Sequence, residues 1–481
     1  MKTFSIIVVL LLIVGCGSDS SSSSNPTSTT NNENRSSSGS GETNSNFSMI
    51  LDVDKTEVST DWIENSSIKS NSPQLNIVSN GDYGYFTING KTLTYTKTKE
   101  GNQTDIGEFE IITETGEIPI KVKVNALYWR EAKCGANHTI ALKSDGTIWG
   151  WGYNQNGELG DGTKINRLNA VQESTKSREW KKLDAGGWFS IAIKNDKSLW
   201  AWGHNDNAQF GDGSDIFINS SSSTPIKVSS IKKWSDISAG TNHVLALQDD
   251  STLWAWGSNI EGQIGNNDTS MVHTPFKVDG TWRTISAGEN YSMAIDSDKK
   301  LWGWGDNGFG ELGLGSTISK HTPTAVEGSG WSNLATGDYH TLAIKNGKFF
   351  GWGMNGYGEL TNNSDGTDEV HQPKEINFDS VKKICAGSNY TLAIKKDGTL
   401  WGWGNNQYAQ LGIDSWDNTK IPTQEATKSN HWTDIDCGTI HSVAIRDNGT
   451  LWIWGSNQYG ELGIGTTDSK AVPTHILGRD L

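Results

Sequence analysis

Residues Leu301–Gly313 read LWGWGDNGFGELG, and the same pattern returns six more times. The other copies are TIWGWGYNQNGELG, SLWAWGHNDNAQFG, TLWAWGSNIEGQIG, KFFGWGMNGYGELT, TLWGWGNNQYAQLG and TLWIWGSNQYGELG. The second Trp-Gly pair starts at 151, 202, 256, 304, 352, 403 and 454, steps of 48 to 54 residues. An Asn follows each of these glycines by two residues, from Asn154 to Asn457. Another Trp opens six of the units, with Val381 standing in the remaining one. Agreement of several columns at this period marks a repeat architecture.

Each unit carries strand signals. SDGTIWGW, KDGTLWGW and DNGTLWIW place Asp-Gly or Asn-Gly between apolar runs, a hairpin cue. Trp302 and Trp304 stand two apart and so point to one face of a strand. Small and apolar residues occupy both faces, as expected of sheets packed between neighbouring sheets. The later Pro-bearing segments, at Pro225, Pro275, Pro323 and Pro473, suit an edge strand, where a missing N–H costs little. Four short strands in each of seven units predict an all-β chain with a seven-bladed β-propeller. Nineteen of the 22 tryptophans fall in repeat columns, and core packing is the expected role of those nineteen.

The columns resemble the regulator of chromosome condensation repeat family. Trp, Gly-x-x-His (Gly135 to His138, Gly240 to His243, Gly337 to His340, Gly438 to His441), Leu-Trp-x-Trp-Gly, Asn, Gly-x-Leu-Gly and Pro follow one another in order over residues 127–479. The resemblance implies that the last Pro-bearing strand, 472–477, closes the ring against the first blade. It also implies that the Gly-x-x-His turn lies at the end of the innermost strand, around a central channel.

At that turn the chain varies from blade to blade. One column holds Asn137, Trp188, Asn242, Asn290, Tyr339, Asn389 and Ile440; the one before it holds Ala136, Gly187, Thr241, Glu289, Asp338, Ser388 and Thr439. A uniform scaffold with variable loop residues is how repeat proteins present a binding surface. Asn137, Trp188, Glu289, Asp338, Tyr339 and Ile440 are therefore the candidate binding face. The His column (His138, His243, His340, His441) has Phe189, Tyr291 and Tyr390 as its other members, a substitution pattern that fits packing better than metal binding. No catalytic constellation, metal site or cofactor motif emerges. The segment NSDGTDE at 363–369 is oxygen-rich but reads as a polar blade loop.

Light sensing within the family uses Gly-Trp-Arg-His-Thr repeats, whereas Ala136, Thr241, Glu289 and Ser388 occupy that Trp column here and no Arg occupies the next. Nucleotide exchange on a nuclear GTPase does not suit an exported chain. The formal net charge of -15, with no basic block, argues against nucleic acid as partner.

Export is read from the N-terminus. Lys2 precedes an apolar run at 4–14 that is too short to span a bilayer, and it ends in Ile13-Val14-Gly15-Cys16. The latter resembles a bacterial lipoprotein box, which implies that Cys16 is the lipidated N-terminus of the mature chain. Residues 1–15 are then a signal peptide. Residues 16–46 are a Ser/Asn-rich tether, with a reach of about 30 Å. Residues 47–126 alternate apolar and polar residues between Gly and Asn turns, and resemble a cadherin-like or immunoglobulin-like β-sandwich, a spacer before the propeller at 127–481. Cys134 and Cys437 occupy the same column in the first and last units, and free buried thiols are expected at Cys134, Cys385 and Cys437.

Together these features predict a monomeric, non-enzymatic lipoprotein of the outer membrane or cell surface. Its propeller is expected to bind an extracellular or envelope protein, with a glycan-binding or polysaccharide-processing propeller as the alternative.

Overall fold

The computed structural model describes seven strands between residues 47 and 127, together with residues 128–476 apart from 215, 217, 219, 229–232 and 362–367. Cys16, the tether, Trp62 and most of the 363–369 loop lie outside the described residues.

The chain divides into two units, Met1–Leu127 and Tyr128–Leu481. In the first, Phe47–Asp52, Gly116–Leu127, Asp105–Thr113 and Gln74–Ser79 form one sheet, and Glu57–Asp61, Thr92–Lys97 and Gly84–Asn89 form a second. How the faces of these sheets pack falls outside the described residues.

The second unit contains seven four-stranded antiparallel sheets, each built from four consecutive strands. In the first blade these are Trp129–Cys134, His138–Lys143, Ile148–Gly152 and Arg167–Gln172, here called a to d from the central axis outward. Strands b are buried from end to end because a sheet packs on each face. Strands d carry the prolines and are partly exposed, as an outer edge allows.

The last strand, Lys470–His475, pairs with Leu451–Gly455 of its own blade rather than with the first blade. The expected strand exchange therefore does not occur. The ring instead closes between blades seven and one through packing and hydrogen bonds. Trp129 N–H donates to the Gly449 carbonyl (3.0 Å), and Trp129 and Trp151 share a core with Val443, Leu451 and Leu462.

Three repeated devices join the units. The column Asn accepts a hydrogen bond on Oδ1 from the backbone N–H five residues later, at 2.9–3.0 Å in every blade, as Asn307 does from Leu312. Its amide also donates to carbonyls of the loop leading to strand d, as Asn307 does to Ser316 and Ile318. In six blades the second Trp reaches back one blade, as Trp304 Nε1 does to the Gln263 carbonyl at 2.9 Å; in the first blade the buried Trp151 Nε1 has no partner.

The third device is a belt formed by the His column. His138 Nε2 lies 3.1 Å from Ser190 Oγ of the next blade, His243 from Ser292 (2.9 Å), His340 from Thr391 (3.1 Å), and His441 from Thr139 (2.9 Å). Each of these hydroxyls already donates to a carbonyl, such as Ser190 to Glu158, so the imidazole is the donor and carries its proton on Nε2. Tyr291 and Tyr390 make the equivalent contact through their hydroxyls, to Thr341 (3.0 Å) and Ser442 (2.9 Å). Packing is thus the role of this column. Burial lowers all four histidines to about 3, so they are neutral.

The tryptophans sort by column. Those opening each unit, and the second of each pair, are buried; the first of each pair, such as Trp149 and Trp302, is only half-buried. Cys385 and Cys437 form a disulfide, with Cα atoms 5.8 Å apart, which corrects the expectation of free thiols at both positions. Cys385 stands one position before the column of Cys437 and belongs to the neighbouring blade, so the two strands a bring them together. Cys134 remains a buried free thiol, and burial holds it well above the usual thiol range.

Candidate functional site

The Gly-x-x-His turns of all seven blades surround one opening at the channel mouth, a cavity of about 90 Å³ lined by Ala136, Gly187, Thr241, Gly288, Asp338, Ser388 and Thr439 among others. The turns of the first three blades are hydrogen-bonded to one another, Ala136 N–H to the Gly187 carbonyl and Gly187 N–H to that of Thr241. Each variable residue is held by the end of strand c of its own blade. Tyr153 N–H donates to the Asn137 carbonyl, His204 to Trp188, Met354 to Tyr339 and Ser456 to Ile440. The carbonyl of the variable column is bonded in this way in all seven blades, and what differs between blades is side chains.

Those side chains gather in two groups. Glu289 and Tyr339 come from adjacent blades and interact, and burial together with the Glu289 carboxylate pushes the Tyr339 hydroxyl up to about 12. Phe309 packs edge-on against Tyr339, with ring centroids 5.4 Å apart. Asp338 beside them is hydrogen-bonded to Ser388. Burial raises both carboxyls, and the Asp338 charge raises Glu289 further. Each acid thus has its own neutral partner, an arrangement suited to accepting hydrogen bonds.

Trp188 belongs to the second group, packing edge-on against Tyr153 at 5.2 Å, which in turn meets Tyr459 of the last blade at 5.2 Å. Asn137 and Ile440 contribute partly buried positions at the same turns, without joining either aromatic group.

The sequence reading did not single out Tyr153, Phe309 or Tyr459. They lie in the loop after the Trp-Gly pair. The column of Phe309 and Tyr459 also holds Tyr357 and Tyr408, so aromatic residues occupy it in four successive blades. Tyr408 and Tyr459 are 40% and 38% exposed, enough to meet a partner. That run of aromatics was the available signal.

Below the mouth, strands a turn alternate side chains into the channel. Lys133 lies 3.0 Å from Asp436 and 3.7 Å from Asp184, while Lys182 pairs with Asp236 and Lys383 with Asp434. Burial pulls on the Lys133 ammonium, but Asp436, Asp184 and Glu131 outweigh it and hold the group well above its ordinary value. These ion pairs link neighbouring blades. Among the described residues no group of His, Cys, Asp and Glu is placed to hold a metal ion.

With this geometry in hand, the chain can be compared with known proteins. A model of the RCC1-like domain matches residues 100–378, and models of the regulator of chromosome condensation (RCC1) repeat match 397–445 and 448–480. The ultraviolet-B receptor UVR8 of Arabidopsis thaliana is 28% identical over 365 residues; the match covers 75% of this chain and 60% of that receptor, so the chain spans about three-fifths of its relative. Two solved structures share the fold. Human WBSCR16 is 22% identical, with a TM-score of 0.61, and the match covers 69% of this chain and 93% of that one. Yeast RCC1 (Prp20), solved with Kap60 bound, is 21% identical, with a TM-score of 0.63, covering 73% of this chain and 85% of that one. The chain belongs to the RCC1-like family and carries its seven-bladed propeller.

Proposed function

We propose that the protein is a lipid-anchored envelope protein whose propeller binds another protein at the channel mouth. The observation that carries this reading is the contrast between turns that strand c holds in the same way in every blade and the partly exposed aromatic side chains they present. Tyr459, Tyr153 and Trp188 span three blades around the ring, Tyr339 and Phe309 two more. Aromatic anchors flanked by polar groups are the usual energetic centre of a protein interface. Yeast RCC1 bound to Kap60 is a family precedent for a protein partner.

The N-terminal Cys16 box supplies the anchor and residues 17–46 the tether, which keeps the face clear of the lipid. Glycan binding is the second reading, favoured by the same aromatic rings, since flat sugar faces stack on Tyr and Trp. Full-length protein used as bait on envelope and secreted fractions separates the two. A protein retained by the parent and lost by Trp188→Ala/Tyr339→Ala, with thermal unfolding unchanged, supports the first reading. Retention of polysaccharide alone supports the second. Absence of radiolabelled palmitate from the parent chain, or its persistence in Cys16→Ser, contradicts the anchor.

A further inference from the structure

In five blades a cation of the chain covers the outer aromatic pair. Lys143 sits 4.7 Å from the ring of Trp129 and 5.3 Å from Trp149; Lys194 sits 4.6 and 4.7 Å from Trp180 and Trp200. Lys345 lies 4.8 Å from Trp331, Lys395 4.3 Å from Phe378, and Arg446 3.7 Å from Trp452. All five cations occupy one column, the last residue of strand b, and four of them stand directly across strand a from the opening Trp.

In the fourth blade the aromatic pair is intact but the cation is reversed in sign. Trp282 and Trp302 have ring centroids 6.0 Å apart, and the residue across from Trp282 is Asp296. Its carboxylate accepts the Trp302 Nε1 proton at 2.8 Å, at the ring edge, so it does not cover the face of the half-buried Trp302; Trp282 is itself buried. The surroundings are open too. The connection into this blade, Asp279-Gly280-Thr281, is only three residues long. Where Glu173 and Glu425 accept the N–H of Trp180 and Trp432 (3.1 and 3.2 Å), Val278 stands here, and the buried Nε1 of Trp282 has no partner, as is also true of Trp234 and Trp331 in the adjacent blades. The result is a cavity of about 500 Å³ walled by Trp282, Trp302, Phe276, Asp296 and Asp279. Lys277, the one cation on its wall, pairs across its strand with Trp254 of the preceding blade.

We propose that this cavity binds an organic cation, an alkylammonium or guanidinium group, which takes the place that Lys or Arg fills in the other blades. The partly exposed Trp302 face, backed by Trp282, supplies cation–π attraction, and Asp296, with Asp279 at the rim, supplies the counter-charge. The volume suits a small ligand or one side chain of a larger one. A metal ion is not the expected occupant, because the wall offers only two carboxylates, one of them already accepting from Trp302, beside the Lys277 cation.

Calorimetric titration of the full-length protein tests this with n-butylammonium, tetramethylammonium and agmatine, against neutral n-butanol. A further arm uses acetylated, amidated Lys and Arg, which present the same head groups as a peptide does. The cations are expected to bind and n-butanol to bind at least about tenfold more weakly. Tighter binding of the capped amino acids than of the free amines assigns the site to a protein side chain; the reverse assigns it to a free amine. Asp296→Lys, which installs the residue of four other blades, is expected to abolish binding and raise the melting temperature. Asp296→Asn keeps the acceptor for Trp302 and is expected to weaken binding without unfolding. Equal binding of n-butanol, no binding of any cation at millimolar concentration, or unchanged affinity in Asp296→Lys overturns the proposal.

Discussion

Phe189 and Val244 face each other in one apolar core at the junction of blades two and three, the one junction of the ring without a belt hydrogen bond. The other six junctions pair a His or Tyr with a Ser or Thr of the following blade. The two positions match each other, because a buried imidazole N–H opposite Val244 would have no partner.

Phe189→His alone is therefore expected to destabilise the propeller by about 1–3 kcal/mol, and Val244→Ser alone by a similar amount. The double variant is expected to recover most of the loss through a new His–Ser contact. Chemical denaturation of the four proteins, arranged as a double-mutant cycle, measures the coupling.

The belt also sets an acid limit. The four histidines have folded values of about 3 against an unfolded 6.5, so their contribution is complete above pH 6.5 and lost as pH falls toward 3. Glu311 and Glu359 act in the opposite sense. Burial raises both to about 7 from 4.5, so they favour the fold below pH 4.5 and cease to do so as pH rises through 7. Glu131, Glu158, Asp184, Glu289, Asp338 and Glu461 are raised in the same sense, so the histidine part is read from a single variant. His243→Gln keeps an N–H for Ser292 and removes one group that opposes the fold in acid. Relative to the parent, it is expected to be more stable at pH 5 than at pH 7, measured by denaturation midpoints at both.

The Cys385–Cys437 disulfide crosses from blade six to blade seven and closes a 52-residue separation. In the chain-entropy model such a loop contributes about 4 kcal/mol. Cys385→Ser/Cys437→Ser is expected to lower the melting temperature by several degrees. Cys134 is expected to resist alkylation in the folded protein, because it is buried and its thiol is held neutral. Mass spectrometry after alkylation with and without denaturant reads both.

Each column Asn bridges two turns, so Asn307→Ala removes the acceptor for Leu312 N–H and the donors to Ser316 and Ile318. A loss of about 2–4 kcal/mol is expected, measured by urea unfolding. Asn156→Ala, in the same loop of blade one but outside that column, serves as the control.

The repeat period, the outer Pro strands and the packing of the His column were legible because each is fixed by local geometry repeated seven times. Glu289, Asp338 and Tyr339 were legible as a group because equivalent positions in adjacent blades must be neighbours. The disulfide was not, because Cys385 and Cys437 stand in different columns and meet only across two inner strands. Nor was the channel: Lys133, Asp184 and Asp436 look like ordinary polar strand residues until seven strands turn them toward one axis. Strand exchange at the ring closure was wrongly expected, since packing and hydrogen bonds alone join the last blade to the first.

The most direct test of the account is amide hydrogen exchange on the full-length protein, free and with its captured partner. Binding at the channel mouth predicts new protection in the Gly-x-x-His turns and in the loops of Tyr153, Phe309 and Tyr459. Protection confined to the outer Pro strands or to the N-terminal unit, with those turns unchanged, would contradict it.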